Sequence, residues 1–312
     1  MGAISESPLP FIFQDRIIDT AAFTQQLING VSLGCLYGLI AIGYTMVYGI
    51  LRLINFAHGD VMMVGCYFAF YGMLLFTLPW WASFLIAILL TALLGVLIDR
   101  GAYRPVRNAP RISALITAIG VSFLLENLGL VLFGGRPKAF YRPEIFSGIH
   151  TFGEVRVLDL HVWTALLTLL IFTFIYQIIY KTRIGRAMRC IAHDMETTRL
   201  MGVDLNRIIA FTFAIGSAAA AAGGIMWAMR YPQINPLMGI LPGLKAFVAA
   251  VLGGIGNVSG AMLGGLLLGL IEILLVAARP DLAGYRDALA FGILILILLF
   301  RPTGLMGERL PE

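Results

Sequence analysis

Charge is what this chain has least of. Asp, Glu, Lys and Arg make up 12% of its 312 residues, against 59% hydrophobic, and the mean hydropathy is +0.89. No soluble domain of this length could hide so much apolar surface, so that class is excluded. Cysteine is nearly absent: Cys35 and Cys66 lie in apolar segments and Cys190 in a charged one, which gives no disulfide framework. His58, His150, His161 and His193 show no ligand spacing with cysteines or carboxylates, so no metal site is expected. A G-x-x-x-x-G-K-[ST] phosphate loop is missing, which excludes ATP binding by that route. Gly254-x-Gly256-x-x-Ser259 approaches a dinucleotide fingerprint, but it ends in Ser with no soluble βαβ unit around it, and reads as a helix break or close packing. No catalytic residue, no cofactor and no nucleic-acid partner is expected. A cleavable signal peptide is not evident either, because Leu9–Phe13 is too short for its apolar region and no basic stretch precedes it.

What the chain does contain is apolar runs of bilayer-crossing length. They are Gln26–Ile50, Val61–Pro79, Trp80–Ile98, Ser113–Phe133, Val162–Tyr180, Ile208–Met229 and Tyr285–Phe300. Ile240–Ala278 is too long for one span, and Gly253-Gly254-Ile255-Gly256-Asn257 in its middle predicts two short or broken helices. The expected fold is an all-α polytopic membrane protein of about 8–10 transmembrane helices, with broken or re-entrant segments.

Basic residues in short loops orient such a chain. Arg100, Arg104, Arg107 and Arg111 follow the third run without an acid among them, and six more basic residues lie in Lys181–Arg207. The two groups are an even number of crossings apart, so both face the cytoplasm. Placing Arg301 inside as well gives nine segments with the N-terminus outside. Gly134–His161 is then external, and its alternation at Phe152-Gly-Glu-Val-Arg-Val-Leu158 hints at a small hairpin. It reads equally as a platform for an external protein or as an ordinary loop.

Small residues at four-residue spacing let helix backbones approach closely. Gly30, Gly34 and Gly38 form one such face; Gly260 with Gly264, and Gly265 with Gly269, form others. Polar residues at membrane depth are the remaining signal. Asn55-Phe-Ala-His58-Gly59-Asp60 and Gly256-Asn257-Val-Ser-Gly260 each interrupt apolar sequence, and paired glycine-interrupted segments point to a permeation path. Glu126, Asn127 and Glu272 lie inside apolar runs, where ionisable groups mark either transport or a packed, hydrogen-bonded contact. Lys181–Arg207 mixes charges with Ala187, Ile191, Leu200 and Met201 in a helical pattern, which suits a docking surface or a solvated inside loop.

At these residues a family resemblance emerges. Gln26-Leu-Ile-Asn-Gly30, Gly43-Tyr-Thr-Met-Val-Tyr-Gly49, Leu53-Ile-Asn-Phe-Ala-His-Gly59 and Arg301-Pro-Thr-Gly-Leu305 resemble the inner-membrane permeases of branched-chain amino-acid ABC importers, the H-type subunit in particular. The resemblance runs from about Gln25 to Gly307. Glu196-Thr-Thr-Arg-Leu-Met-Gly202 is similar to the permeases' coupling-loop signature E-A-A-x-x-x-G, with Thr197 and Thr198 in place of the alanines.

The resemblance implies a single permease domain over 25–307 between tails 1–24 and 308–312, with a coupling loop at 181–207. It implies an ATPase-docking loop carrying Arg186, Arg189, Asp194, Glu196, Leu200 and Gly202, and a translocation path that includes Asn55, His58, Gly59, Asp60, Glu126, Asn127, Gly256 and Asn257. The implied partners are a second homologous permease, two cytoplasmic ATPases and an external solute-binding protein, in a bacterial inner membrane. Permeases for urea or short amides share parts of the motif set. An ion-coupled transporter using Glu126, Asp60 or Glu272 is the other alternative.

Overall fold

The computed structural model describes residues 20–107 and 109–307; the expected tail at 308–312 and most of that at 1–24 lie outside these. Among the described residues the helices are α1 (Thr20–Leu51), α2 (His58–Leu74), α3 (Trp80–Ile98), the short turn α4 (Arg104–Val106), α5 (Arg111–Phe133), α6 (Asp159–Lys181), α7 (Arg183–His193), α8 (Met195–Leu200), α9 (Leu205–Arg230), α10 (Ile240–Gly253), α11 (Val258–Ala278) and α12 (Arg286–Phe300). A π-helical stretch, Asp99–Tyr103, joins α3 to α4. Seven segments are long and apolar enough to cross a membrane, and α2 and α10 are shorter. The all-α polytopic architecture expected from the apolar runs is therefore what the chain adopts. Its first helix already begins at Thr20, inside the expected tail, where the Thr24 hydroxyl bonds back to the Thr20 carbonyl at 2.8 Å.

The helices run between two ends. One holds Arg100–Arg107 and the 181–207 segment; the other holds a hairpin of β2 (Ile149–Phe152) and β3 (Val155–Leu158) turned at Gly153. At that second end β1 (Lys138–Ala139) pairs antiparallel with β4 (Gln233–Ile234), and the Arg156 amide donates to Gln25 Oε1 at 2.8 Å. The alternation read at Phe152–Leu158 is thus a real hairpin.

α1 is the central post, buried almost continuously from Gly30 to Leu51. The two glycine faces read from the sequence pack on each other. A Cβ at Gly34 would meet Leu266 Cα at 2.7 Å, and Gly265 and Gly269 of α11 lie against the backbone of Gly38 and Gly34. The opposite glycines of α11, Gly260 and Gly264, lie against Gly253 of α10 instead. α11 is thereby held between two helices at backbone distance, as expected where lipid gives no hydrophobic drive for association.

Breaks in α2 and α10 are covered by protein. α10 ends at Gly253, whose carbonyl accepts the Met306 amide at 2.8 Å, while the Leu252 carbonyl accepts the Leu305 amide at 2.9 Å. Gly254 (φ 109°) and Gly304 (φ 73°) make that contact possible, each in a region side chains rarely enter. α5, α6 and α12 stand at the periphery with broad exposed apolar faces, including Phe123, Leu124 and Val131 on α5.

A side chain at Gly34 should force α1 and α11 apart. Gly34→Leu is expected to cost about 1–3 kcal/mol or more by overpacking and to lower the melting temperature in detergent. Gly120→Leu, where a Cβ meets nothing within 4 Å, should leave melting unchanged.

Candidate functional site

After α1 ends at Leu51 the chain doubles back into the bundle. His58, the first residue of α2, has Nε2 3.2 Å from the Ile40 carbonyl and its ring 4.4 Å from Tyr44. Ile40 is eleven residues before the end of α1, so α2 starts about 16 Å inside the bundle. A carbonyl only accepts, so Nε2 carries the proton. The extended leg that makes this return is held by Asn55, whose Oδ1 accepts from the Tyr103 hydroxyl at 2.8 Å. α10 reaches the same level from the other end. A Cβ at Gly243 would meet Gly59 Cα at 2.9 Å, and Gly239 touches the Gly59 backbone. Two helix N-termini, each the positive end of a dipole, therefore meet deep in the bundle beside Tyr44, Phe56 and Phe247.

The other expected path residues divide. Asp60 is buried, and Ser122 donates to its Oδ2 at 2.5 Å. Glu126, one turn along α5 and half-buried, is close enough to Asp60 to couple electrostatically. Asn127 points away, exposed on the outer face of α5 with its amide donating to the Phe123 carbonyl. Gly256 and Asn257 are not beside Gly59. Gly256 lies against Gly49 past the far end of α10, about 15 Å away along the ten residues from Gly243 to Gly253, and Asn257 follows it. The segment that faces Gly59 is Gly239–Gly243, which the short likeness between the two glycine motifs did not indicate. Asn257 instead caps α11, its Oδ1 accepting from Gly260 N at 3.1 Å, and donates to the Met306 carbonyl at 3.0 Å.

At the basic end the 181–207 segment folds into α7 and α8. Thr182 caps α7 by accepting from Gly185 N at 3.1 Å, and Asp194 caps α8 by accepting from Glu196 N at 2.9 Å and Thr197 N at 3.1 Å. Hydrogen bonds from the Thr197 hydroxyl and amide, then from the Glu196 amide, hold the Asp194 carboxyl below the usual carboxylate range. Met188 and Ile191 are buried, and Arg52 Nη2 donates to the Ala192 carbonyl at 2.9 Å, so α7 is fastened to the end of α1. α8 closes at Gly202 with φ 81°, the left-handed turn that ends many helices. Leu200 and Met201 at its tip are 83% and 80% exposed, and Arg186, Arg189 and Glu196 are exposed as well. Arg189 is also bonded to the Ile179 carbonyl at 2.6 Å. α7 and α8 are thus two capped helices that leave an apolar tip exposed.

A third polar group was read in the sequence only through Glu272, as a residue of transport or of a packed, hydrogen-bonded contact; its partners Lys245 and Asp287 were not singled out. Lys245 of α10 bridges Glu272 Oε1 at 2.9 Å and Asp287 Oδ1 at 2.8 Å, and Tyr37 donates to Glu272 Oε2 at 2.9 Å. Lys245 and Glu272 are buried and Asp287 is half-exposed. The available signal was a single lysine in the apolar stretch Ile240–Leu252.

The profile of the family described as branched-chain amino acid transport system / permease component matches residues 26–298. The chain is 45% identical over 301 residues to the high-affinity branched-chain amino acid transport system permease protein BraD of Pseudomonas aeruginosa, covering 92% of this chain and 96% of that protein. It is 44% identical over 303 residues to the corresponding permease protein LivH of Escherichia coli, with the same shares covered. The ribose import permease protein RbsC of Haemophilus influenzae is 26% identical over 72% of this chain and 68% of its own length. No solved structure matches the chain.

Two outcomes follow from the polar groups. Lys245→Met, which leaves Glu272 buried without its cation, should destabilise by about 3–5 kcal/mol in thermal melting, and Lys245→Met with Glu272→Leu should recover most of that loss. For Asp194, a depressed folded pKa means that the cap on α8 is intact above the ordinary carboxylate value of about 3.9 and is lost as pH falls through the lower folded value. Hydrogen exchange at the Glu196 and Thr197 amides, corrected for intrinsic rates, should stay slow down to that window. Asp194→Asn should flatten the pH dependence, and Asp194→Ala should give fast exchange throughout.

Proposed function

The chain belongs to the permease components of branched-chain amino-acid transport systems, and from that premise we propose that it is the membrane-spanning permease subunit of an ATP-driven importer of leucine, isoleucine and valine. It is a transport subunit and not an enzyme. The observation that carries this reading is the likeness to BraD and LivH over nearly the whole of both chains. In this reading the end with the basic segments faces the cytoplasm of a bacterial inner membrane, as the loop arginines favour.

The docking pair α7–α8 receives one of two ATPase subunits through Leu200 and Arg186, with Arg189, Asp194, Glu196 and Gly202 shaping the surface. Its exposed apolar tip supports the assignment. A second, homologous permease completes the membrane unit, and a solute-binding protein docks at the hairpin end. The meeting of α2 and α10 at Gly59 serves the translocation path, with Asn55, His58 and Asp60 near it. Unwound backbone at membrane depth is tolerated only where protein or water surrounds it, and two half-helix N-termini offer fixed positive dipoles to a passing carboxylate. Glu126 couples to Asp60 and shapes the wall rather than cycling a proton. The Arg52 contact ties α7 to the leg that carries Asn55 and His58, a direct connection from the docking surface to the deep junction.

The test is labelled leucine uptake into proteoliposomes containing the complete complex, with ATP inside, binding protein outside and an uncoupler present. Uptake should require ATP, ignore the uncoupler and be outcompeted by isoleucine and valine but not by urea. Glu126→Gln should keep most of the rate. Gly202→Val, a β-branched residue forced to positive φ, should lower uptake at least several-fold or uncouple ATP hydrolysis from it while leaving membrane insertion intact. Uptake that needs an ion gradient and disappears in Glu126→Gln would instead establish a secondary transporter.

A further inference from the structure

A cavity of about 310 Å³ opens at the basic end between α1, α6, α7 and the start of α11. That is the lower end of the size range of small-molecule sites. It is distinct from the deep junction at Gly59, and it shares only Arg189 with the docking surface and Gly256 and Asn257 with the residues expected along the path.

Its chemistry is one-sided. Arg52 and Arg189 are exposed and line it, and among the described residues no Asp or Glu does. Each guanidinium bonds one backbone carbonyl, Ala192 for Arg52 and Ile179 for Arg189. A guanidinium has five N–H donors, so both keep donors for a second acceptor. The N-terminus of α11 forms another wall through Gly256, Asn257 and Val258. The first amides of a helix have no acceptor within it, and the Asn257 carboxamide takes that of Gly260. Together these features make an anion-binding wall. The floor is apolar, built from Met46, Ile179 and Met188. In that floor lies Thr45, fully buried, whose Oγ1 has no hydrogen-bond partner. A helical threonine ordinarily bonds the carbonyl four residues back, as Thr91, Thr164 and Thr212 do here. A buried hydroxyl without a partner is unfavourable, which marks Thr45 as the polar group that an occupant of this cavity would satisfy.

We propose that this cavity binds a small carboxylate with a branched apolar body, that the released amino acid itself fills it from the cytoplasmic side, and that occupancy restrains α7. The carboxylate meets Arg52, Arg189 and the α11 N-terminus; the side chain lies on Met46, Ile179 and Met188. Such an occupant touches α1, α7 and α11 at once, so it resists any shift of α7 against the bundle. The consequence is inhibition of import by accumulated product. This inference rests on the transport reading for the identity of its ligand.

The experiment loads the lumen of proteoliposomes containing the complete complex with unlabelled leucine, with its α-keto acid 4-methyl-2-oxopentanoate, with 3-methylbutylamine, or with nothing. The initial rates of labelled leucine uptake and ATP hydrolysis are then compared. Leucine inside should slow both several-fold relative to empty vesicles, and the amine, which lacks the carboxylate, should have no effect. Thr45→Val and the cavity-filling Ile179→Trp should each relieve the inhibition while uptake into empty vesicles is kept. Equal rates in leucine-loaded and empty wild-type vesicles overturn the proposal. So does inhibition by the amine, inhibition by the keto acid but not by leucine, or inhibition that persists in both variants. A wild-type complex with no uptake into empty vesicles would overturn the transport reading instead, so the two failures are distinguishable.

Discussion

Everything in this bundle depends on backbones approaching one another without side chains between them. In hydrocarbon no water is available to satisfy a free amide or carbonyl, so a helix can be interrupted only where other protein stands directly beside the break. Gly34 and Gly38 against Gly265 and Gly269 hold α11 on α1, and Gly260 and Gly264 against Gly253 hold α10 on α11. Those contacts fix α1, α11 and α10 as one layered unit. Only with that unit in place can α10 begin deep in the bundle and present its first turn to Gly59.

The polar residues at the junction are consequences of the same constraint. Asn55 takes the Tyr103 hydroxyl, His58 reaches the Ile40 carbonyl, and Asp60 receives Ser122, so the returning leg is tied to three different helical segments. The Lys245 cluster does the equivalent work for α10, binding it to α11, α12 and α1 through ionic and hydroxyl contacts. Both half-helices are thus located by side-chain bonds on one flank and by glycine contacts on the other.

The architecture was legible in the sequence because its signals are local. Apolar length gave the spans, basic loops gave an even separation, the Gly253–Asn257 interruption marked the gap between α10 and α11, and Phe152–Leu158 marked the hairpin. The glycine of the coupling-loop signature, Gly202, stands where α8 closes in a left-handed turn. Pairing across the bundle was not legible. Gly256-Asn257-Val258 looks like Gly59-Asp60-Val61, but likeness between two helix starts says nothing about adjacency, and Gly239 with Gly243 occupies that place. Whether a residue on a span faces protein or the outside depends on which helices surround it, which is why Asn127 and Glu126, neighbours in sequence, have opposite surroundings. The Lys245 bridge joins residues twenty-seven and forty-two positions apart on three helices, a relation that no local pattern encodes.

The turn at Gly304–Met306 bears on the order in which the molecule can be assembled. The carbonyls at the end of α10 are satisfied by amides about fifty residues later, after two further helices have crossed. While the chain emerges from the ribosome, α10 must therefore wait with its last turn unfinished until α11 and α12 have been threaded into the bilayer. The half-helix that reaches Gly59 is completed only after the two helices that follow it, and its last turn is sealed from the far end of the chain backward.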